Sequence, residues 1–217
     1  MIPKMKIGWF TFLLAAAAGF CDTATFVAGN ETFSAHVTGN FIIFAAQAVL
    51  NGDPSAWVKL LTFPVFVLAV MTGGWLSDRA GKHYPLLLIE GIVLLLAGGL
   101  AFGIAANPAG NTLVVMITTF GMGLQNAFGK LFAKKTYGPT TMMTGNVTQA
   151  ALDLGRLLSR RSGGDPTASE SLKKHAVLLG GFLAGCLPGG LLSEKMGLEA
   201  VLAPGLILLV CWLADSQ

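Results

Sequence analysis

The feature that most constrains this chain is a series of apolar segments whose lengths repeat. A helix rises about 1.5 Å per residue, so crossing a hydrocarbon core of roughly 30 Å takes about 20 apolar residues. Some segments reach this length and others do not, and the order long, short, long, long occurs twice. The long segments are 7–28, 57–78, 84–106, 112–132, 175–193 and 199–214, and the short ones are 38–50 and 145–158.

The composition agrees with a chain that lies in a membrane. Hydrophobic residues make up 53% of the sequence and charged residues only 12%, whereas about 25% of an ordinary soluble domain is charged. We therefore predict an all-α integral membrane protein, with residues 1–217 forming a single membrane domain and the lipid bilayer as its first partner. The net charge of +3 does not indicate nucleic-acid binding, because the basic residues flank membrane segments, where topology accounts for them.

The two series of segments are copies of one unit, because short motifs recur at similar offsets. An internal repeat of this kind is typical of transporter folds. The matching pairs are GFCD at 19–22 with GLQN at 123–126, TGN at 38–40 with TGN at 144–146, and GGWLSDRAG at 73–81 with GGLLSEKMG at 189–197.

The repeats are predicted to cover residues 7–106 and 112–214. The third motif pair has a larger offset than the first two, which places an insertion between the second and third motifs of the second repeat. The only polar, Gly- and Ser-rich stretch in that interval is 159–174. We predict that this stretch is a cytoplasmic loop.

The distribution of Lys and Arg favours one topology. If all eight segments cross the membrane, these residues divide eight inside and six outside. If each short segment enters the membrane and returns to the same side, twelve of the 14 lie inside and only Lys59 and Lys195 lie outside. The positive-inside rule favours this second arrangement, with cytoplasmic N- and C-termini. Three crossings per repeat would make the repeats inverted, with six transmembrane helices and two re-entrant half-helices; eight helices in two parallel four-helix repeats are the alternative.

The two Thr-Gly-Asn motifs are the first candidate binding site. Thr and Asn side chains can accept the free amide hydrogens of a first helical turn, and Gly permits a tight backbone. Because helix N-termini carry partial positive charge, two of them facing each other at the midplane would bind a small polar or anionic solute. Alternatively, these small residues only allow helices to pack closely. The residues are Thr38, Gly39, Asn40, Thr144, Gly145 and Asn146.

Other polar residues lie within the apolar segments. Asp22 and the pair Gln125 and Asn126 occupy equivalent positions in the two repeats and are candidates for the same site, because polar groups at membrane depth are costly unless they face protein or water. Asp22 could instead hold nearby extended backbone. Glu90 and His36 are candidates for coupling transport to protons. The alternatives are a buried hydrogen-bonding role for Glu90 and a capped or solvated His36.

No enzymatic signature occurs in the sequence. A nucleophile elbow, an HExxH motif, clustered Cys and His ligands and a phosphate-binding loop are all absent. We therefore expect no catalytic residue, no metal site and no cofactor. Cys21, Cys186 and Cys211 are isolated in apolar runs, which is typical of small buried side chains.

Two family resemblances can be stated from these motifs. The stretch GGWLSDRAGKHYPLLL at 73–88 resembles a cytoplasmic loop signature of the major facilitator superfamily. Nearly the whole chain resembles the YoaK family of small bacterial inner-membrane proteins of unknown function, through GFCDTATFVAGNETFSAHVTGN in the first repeat and GMGLQNAFGKLFAKKTYGPTTMMTGNVTQAALDLGR in the second. The second resemblance implies location in a bacterial inner membrane and names no substrate.

Two classes of function remain in view. The first is a transporter or channel for a small polar or anionic solute, with its site between the Thr-Gly-Asn turns. The second is a non-transporting membrane partner or assembly protein that uses the loop at 159–174 as its contact surface. The spacing of Gly181, Gly185 and Gly189 suits close helix packing either within one chain or between chains of a homo-oligomer.

Overall fold

The structure is a computed structural model that describes residues 5–52, 55–80, 84–159 and 166–215. Within these residues the chain forms eight α-helices and no strand, which confirms the predicted all-α membrane fold. A π-helical turn, Gln47–Asn51, continues α2, and a 3-10 turn, Gly197–Val201, joins α7 to α8. The helices are α1 (Ile7–Ala28), α2 (Gly39–Ala46), α3 (Thr62–Ala80), α4 (Tyr84–Ile104), α5 (Pro108–Leu131), α6 (Met143–Leu158), α7 (Pro166–Met196) and α8 (Leu202–Asp215).

Four helical stretches are long and apolar enough to cross a membrane. They are Ile7–Ala28, Ala56–Arg79, Leu86–Ile104 and Pro166–Ala214, the last of which contains both α7 and α8. Side chains are distributed as lipid requires, because leucines such as Leu183 and Leu187 are exposed on the outside. Polar residues lie inside, where other protein groups can bind them. These buried polar residues include Asp22, Asn40, Glu90, Gln125 and Asn146.

Helix α5 is not among these four stretches, yet it lies beside α1 over most of its length. At one end, Asn111 Nδ2 donates a hydrogen bond to the carbonyl of Ala28, at 2.8 Å. Towards the other end, Gln125 Nε2 donates to the carbonyl of Leu14, at 2.7 Å. Residue numbers rise along α5 as they fall along α1, so these equivalent helices of the two repeats are antiparallel.

The last helices of the two repeats, α4 and α8, are also antiparallel. Gly91 lies against the side chain of Leu209, and Gly98 lies against Leu202. In parallel repeats, equivalent helices would run in the same direction. The repeats are therefore inverted, and the alternative of two parallel four-helix repeats is wrong.

The repeats exchange packing partners. Helix α1 packs against α7 and α8 of the other repeat, and α5 packs against α3 and α4. Glycines allow the closest of these contacts. A Cβ at Gly185 would lie 1.9 Å from the carbonyl oxygen of Ala16, and one at Gly123 would lie 2.5 Å from Cβ of Ala69. The glycine spacing on α7 thus serves packing within the chain.

Part of the predicted loop at 159–174 is helical. Residues 160–165 lie outside the described residues, but 166–174 form the first turns of α7. Pro166 suits the first position of a helix. The ion pair between Lys174 Nζ and Glu170 Oε1, at 2.7 Å and four residues apart, stabilises this end. The prediction of loop structure for 166–174 was therefore wrong.

Candidate functional site

Two loops bring the chain into the bundle interior. The first approach loop, residues 29–38, connects α1 to α2, and the second approach loop, residues 132–142, connects α5 to α6. The second contains one short 3-10 turn, Ala133–Lys135. A Thr-Gly-Asn motif lies at or just after the end of each loop, so the N-termini of the two short helices are set by how these loops are held.

The two motif asparagines hold the approach loops. Asn40 Oδ1 accepts from the Phe33 amide, and Asn40 Nδ2 donates to the Phe33 carbonyl, both at 2.8 Å. Asn40 Nδ2 also donates to Thr62 Oγ1, at 2.9 Å. In the second repeat, Asn146 Nδ2 donates to the carbonyl of Pro139, at 2.9 Å. Each buried Asn thus binds the backbone seven residues before it, and these bonds hold the loop rather than point into open space.

The first approach loop is anchored by the carboxylate of Asp22. Asp22 Oδ1 accepts from the amides of Ala35, at 2.6 Å, and His36, at 3.3 Å, and from Ser34 Oγ, at 3.5 Å. Asp22 Oδ2 forms an ion pair with His36 Nδ1. The predicted alternative, that Asp22 holds extended backbone, describes these contacts.

The second approach loop is anchored by two amide side chains. Gln125 Nε2 donates to Thr140 Oγ1, at 2.9 Å, and Asn126 Nδ2 donates to Thr141 Oγ1, at 2.8 Å. Asn126 is the residue equivalent to Asp22, and Thr141 is equivalent to Ala35. The same two positions therefore meet in both repeats, with different chemistry.

These anchors lie on opposite sides of the bundle centre. The middle of α1 falls between Ala17 and Ala18. Asp22 lies four to five residues beyond this point, which is about 7 Å along the helix axis. Gln125 binds the carbonyl of Leu14, which lies about 5 Å before the middle at 1.5 Å per residue. The two approach loops therefore converge near the centre of the span.

A cavity of about 350 Å³ lies where the loops converge. Both Thr-Gly-Asn motifs contribute to its wall, through Thr38 from the first and Thr144 and Gly145 from the second. Phe66 of α3 supplies an apolar side. Gly39, Asn40, Asn146, Asp22 and Gln125 are predicted site residues that are not among the lining residues. The complete lining is Ala35, His36, Val37, Thr38, Phe66, Asn126, Thr141, Met142, Met143, Thr144 and Gly145.

The N-termini of α2 and α6 differ in the amides that they offer to this cavity. The amides of Gly39 and Asn40 donate to the carbonyls of His36 and Val37, at 2.8 and 3.3 Å. Neither Thr38 nor Met142 makes a side-chain cap hydrogen bond, so the predicted capping by Thr38 is wrong. Among the described residues, the amides of Met143, Thr144 and Gly145 make no such hydrogen bond to the backbone that precedes α6. The open helix end is therefore that of α6.

His36 supplies the ionisable group of the cavity wall. It lies between α1 and α2, outside the membrane-spanning helices, and its side chain is 35% exposed. The hydrogen bond to the Asp22 carboxylate raises the pKa of His36 above its usual value, although partial burial opposes this effect. A protonated His36 and the N-terminus of α6 then present positive charge to the same cavity.

Glu90 lies apart from the cavity lining. It is fully buried on α4, and its carboxylate oxygens have no hydrogen-bond partner among the described residues. Sequence reasoning singled out Glu90 and His36 individually, but it missed Thr140 and Thr141, which bind the side chains of α5. The signal available for these two threonines was their position just before the second Thr-Gly-Asn motif.

The comparisons with known proteins identify a family without a known activity. The family model described as "Protein of unknown function (DUF1275)" matches residues 10–214. No curated protein and no solved structure matches the chain. The segment that resembles the facilitator signature runs from the last turns of α3 into α4, and its residues 81–83 lie outside the described residues. Near the end of α3, the Arg79 guanidinium lies 3.5 Å from the centre of the Trp75 ring.

Proposed function

We propose that this chain, which belongs to the DUF1275 family of proteins of unknown function, is a membrane transporter or channel for a small anionic or polar solute. The observation that carries the proposal is the cavity of about 350 Å³ between the two Thr-Gly-Asn motifs. Inverted repeats with interrupted helices commonly place a solute site at the point where the repeats meet. Non-helical backbone at membrane depth is tolerated where it lines such a cavity.

The charges around the cavity favour an anion over a neutral solute. His36 and the open N-terminus of α6 contribute positive charge, and Thr38, Asn126 and Thr144 contribute hydrogen-bonding groups. Asp22 offsets part of this charge, but its carboxylate is engaged by the first approach loop and is not among the lining residues. The preferred solute is therefore a small anion with a compact polar group.

We further propose that the protein lies in a bacterial inner membrane with both termini in the cytoplasm. The family match is consistent with the YoaK resemblance. Support for the orientation comes from the charges at the two ends of the bundle. Lys6, just before α1, and Lys130, in the last turn of α5, lie at one end of the bundle. Lys195, in the last turn of α7, lies at the other end.

The direct test measures solute entry into vesicles that contain the purified protein. Vesicles are mixed with ammonium chloride, ammonium nitrate, glycerol or urea in the presence of a protonophore, which lets a proton enter with each ammonia molecule and anion, and swelling is followed by light scattering. Gly145→Leu should remove the protein-dependent swelling, because a Cβ at Gly145 meets no atom within 4 Å and a longer side chain would extend into the cavity that Gly145 lines.

Gly155→Leu is the matched control on the same helix. A Cβ at Gly155 also meets no atom within 4 Å, and Gly155 is not among the residues of the cavity. This variant should swell at the wild-type rate. Equal swelling by both variants would contradict the proposed site. No protein-dependent swelling with any of the four probes would favour the non-transporting membrane partner instead.

A further inference from the structure

Glu90 is a fully buried carboxyl group in apolar surroundings. Leu86, Leu87 and Leu94, its neighbours on the same face of α4, are also fully buried. Neither Glu90 oxygen has a hydrogen-bond partner among the described residues. An ionised carboxylate is very unfavourable in such a site unless a cation or donors accompany it. In the part of the chain that the structure describes, no group of three His, Cys, Asp or Glu residues could hold a metal ion.

A second unpartnered polar group lies at the same level of the bundle. Leu94 of α4 lies against Gly121 of α5, while Leu86 lies beside Gly73, which also contacts Ala127. The two helices are therefore antiparallel in this register. Glu90, midway between Leu86 and Leu94, is level with residues 124–125. The side-chain oxygen of Gln125 is buried there without a partner among the described residues.

A protonated carboxyl group can donate the hydrogen bond that the side-chain oxygen of Gln125 lacks. The amide oxygen of Gln125 is an acceptor without a donor, and a carboxylic acid is a donor, whereas a carboxylate only accepts. The opposite end of the same amide donates to Thr140 Oγ1 of the second approach loop and to the carbonyl of Leu14. The neighbouring Thr141 lines the cavity. The side-chain amide of Gln125 thus connects the level of Glu90 with the loop that lines the cavity.

We propose that Glu90 is a proton-binding site in the core of the bundle, and that its proton controls the second approach loop through Gln125. When the carboxylic acid releases its proton to water, its O–H bond breaks, no other covalent bond changes, and the resulting carboxylate can only accept hydrogen bonds. The Gln125 amide group then turns towards the carboxylate and gives up its hydrogen bond to Thr140. The control of the loop rests on the proposed transport function, whereas the proton site itself does not.

The titratable groups near this position are few among the described residues. From α1, the buried Cys21 lies near both Glu90 and Asp22. From α8, the buried Cys211 lies close to the same level, since Gly91 contacts Leu209. Helix α5 contributes the neutral Gln125. His36 is bound to Asp22 at the cavity, so a His36→Gln variant separates its titration from that of Glu90.

Infrared spectroscopy tests the proton site without any solute. The wild-type protein at neutral pH should show the carbonyl stretch of a buried protonated carboxyl, and Glu90→Gln should lose it. Glu170→Gln is the control, because the Glu170 carboxylate is exposed and paired with Lys174 Nζ and should not contribute to the band. Gln125→Leu should keep the band at a higher frequency, since its acceptor is gone. A band that survives in Glu90→Gln, or is absent from the wild type, overturns the proton site.

Chemical labelling of the wild-type protein gives an independent result. Dicyclohexylcarbodiimide reacts with protonated carboxyl groups in apolar sites, so mass spectrometry should find Glu90 modified and Glu170, which is exposed and paired with Lys174, unmodified. Because this experiment uses the natural sequence, it does not depend on the folding of a variant. Modification of Glu170 without Glu90 would contradict the proposal.

Accessibility at the cavity tests the link to the loop. A single cysteine at Met142, which is 46% exposed and lines the cavity, is labelled with a charged thiol reagent at several pH values, with the native cysteines replaced. Because the thiolate is the reactive form, any cysteine reacts faster as the pH rises, so the rate at each pH is divided by that of a single cysteine at Ser159, which is exposed and does not line the cavity. This rate ratio should depend on pH, and Glu90→Gln should remove that dependence while His36→Gln should not. If the infrared band belongs to Glu90 but labelling is unchanged by Glu90→Gln, the control of the loop is overturned. Vesicle swelling tests the proposed function separately.

Discussion

The two approach loops enter the bundle in the same way but are held by opposite chemistry. In the first, α1 offers an acceptor, the Asp22 carboxylate, and the loop donates through the amides of Ala35 and His36. In the second, α5 offers donors, and the hydroxyls of Thr140 and Thr141 accept. The motif asparagines hold the loop backbone in both repeats.

The two repeats thus share a scaffold but differ in the chemical groups that they contribute to the site. The scaffold is shared, because a buried Asn binds the residue seven positions earlier in each half. Among the described residues that line the cavity, the one ionisable side chain is that of His36, which corresponds to Met142 in the other repeat. Across the cavity, a titratable imidazole therefore faces the neutral amides at the start of α6, and the two halves of the site are not interchangeable.

The largest effect that this comparison predicts follows from removing the anchors. Asp22→Ala leaves the amides of Ala35 and His36 buried without their acceptor and breaks a mostly buried ion pair, so the loss of unfolding free energy should be about 3 kcal/mol or more. Asn126→Ala removes one hydrogen bond and should cost about 1 kcal/mol. Unfolding in mixed detergent micelles measures both. Equal losses would show that the two loops are held with equal strength.

Replacing the motif asparagines should also lower the unfolding free energy more in the first repeat than in the second, by a smaller difference than for the anchors. Asn40 makes three hydrogen bonds and Asn146 makes one to the backbone and one weak contact to sulfur. Asn40→Ala should therefore cost about 3 kcal/mol and Asn146→Ala about 1 kcal/mol. The same unfolding experiment applies. A greater loss for Asn146→Ala would contradict the assigned contacts.

The smallest predicted effect is the pH dependence of the first approach loop. The pKa of His36 is raised in the folded protein by its hydrogen bond to Asp22. The ion pair therefore stabilises the fold fully below the usual pKa of histidine, and this contribution is lost as the pH rises through the raised pKa. Unfolding of the wild type at acidic and alkaline pH, with His36→Gln as the comparison, measures it. A loss of stability with rising pH that persists in His36→Gln would assign the effect to another group.

The sequence allowed the architecture to be predicted because its signals were periodic and duplicated. The lengths of the apolar segments and the recurrence of Thr-Gly-Asn predicted two repeats with one short helix each. The distribution of Lys and Arg predicted that the repeats are inverted, and the antiparallel contacts of α4 with α8 agree with this. The early start of α7 at Pro166 was missed, because the polar residues there looked like a loop while their Glu170 and Lys174 side chains pair along a helix.

The details of the site could not be predicted for a different reason. Asn40 binds the backbone of Phe33, and backbone groups carry no sequence signal. The pairing of Asp22 with His36 requires the first approach loop to turn back onto α1. The position of Gln125 level with Glu90 depends on how α4 packs against α5. Sequence patterns locate such residues on their own elements, but tertiary contacts decide which of them meet.

The inverted arrangement of the repeats can be checked by the side of the membrane on which the chain emerges after each short helix. Single cysteines are placed at Ser55, which follows α2, and at Ser159, which follows α6, in protein with Cys21, Cys186 and Cys211 replaced. Two half-helices that meet from opposite faces of the membrane predict that an impermeant thiol reagent labels position 55 only from outside and position 159 only from the cytoplasm. Labelling of both positions from the same side would contradict the inverted arrangement and the shared central cavity.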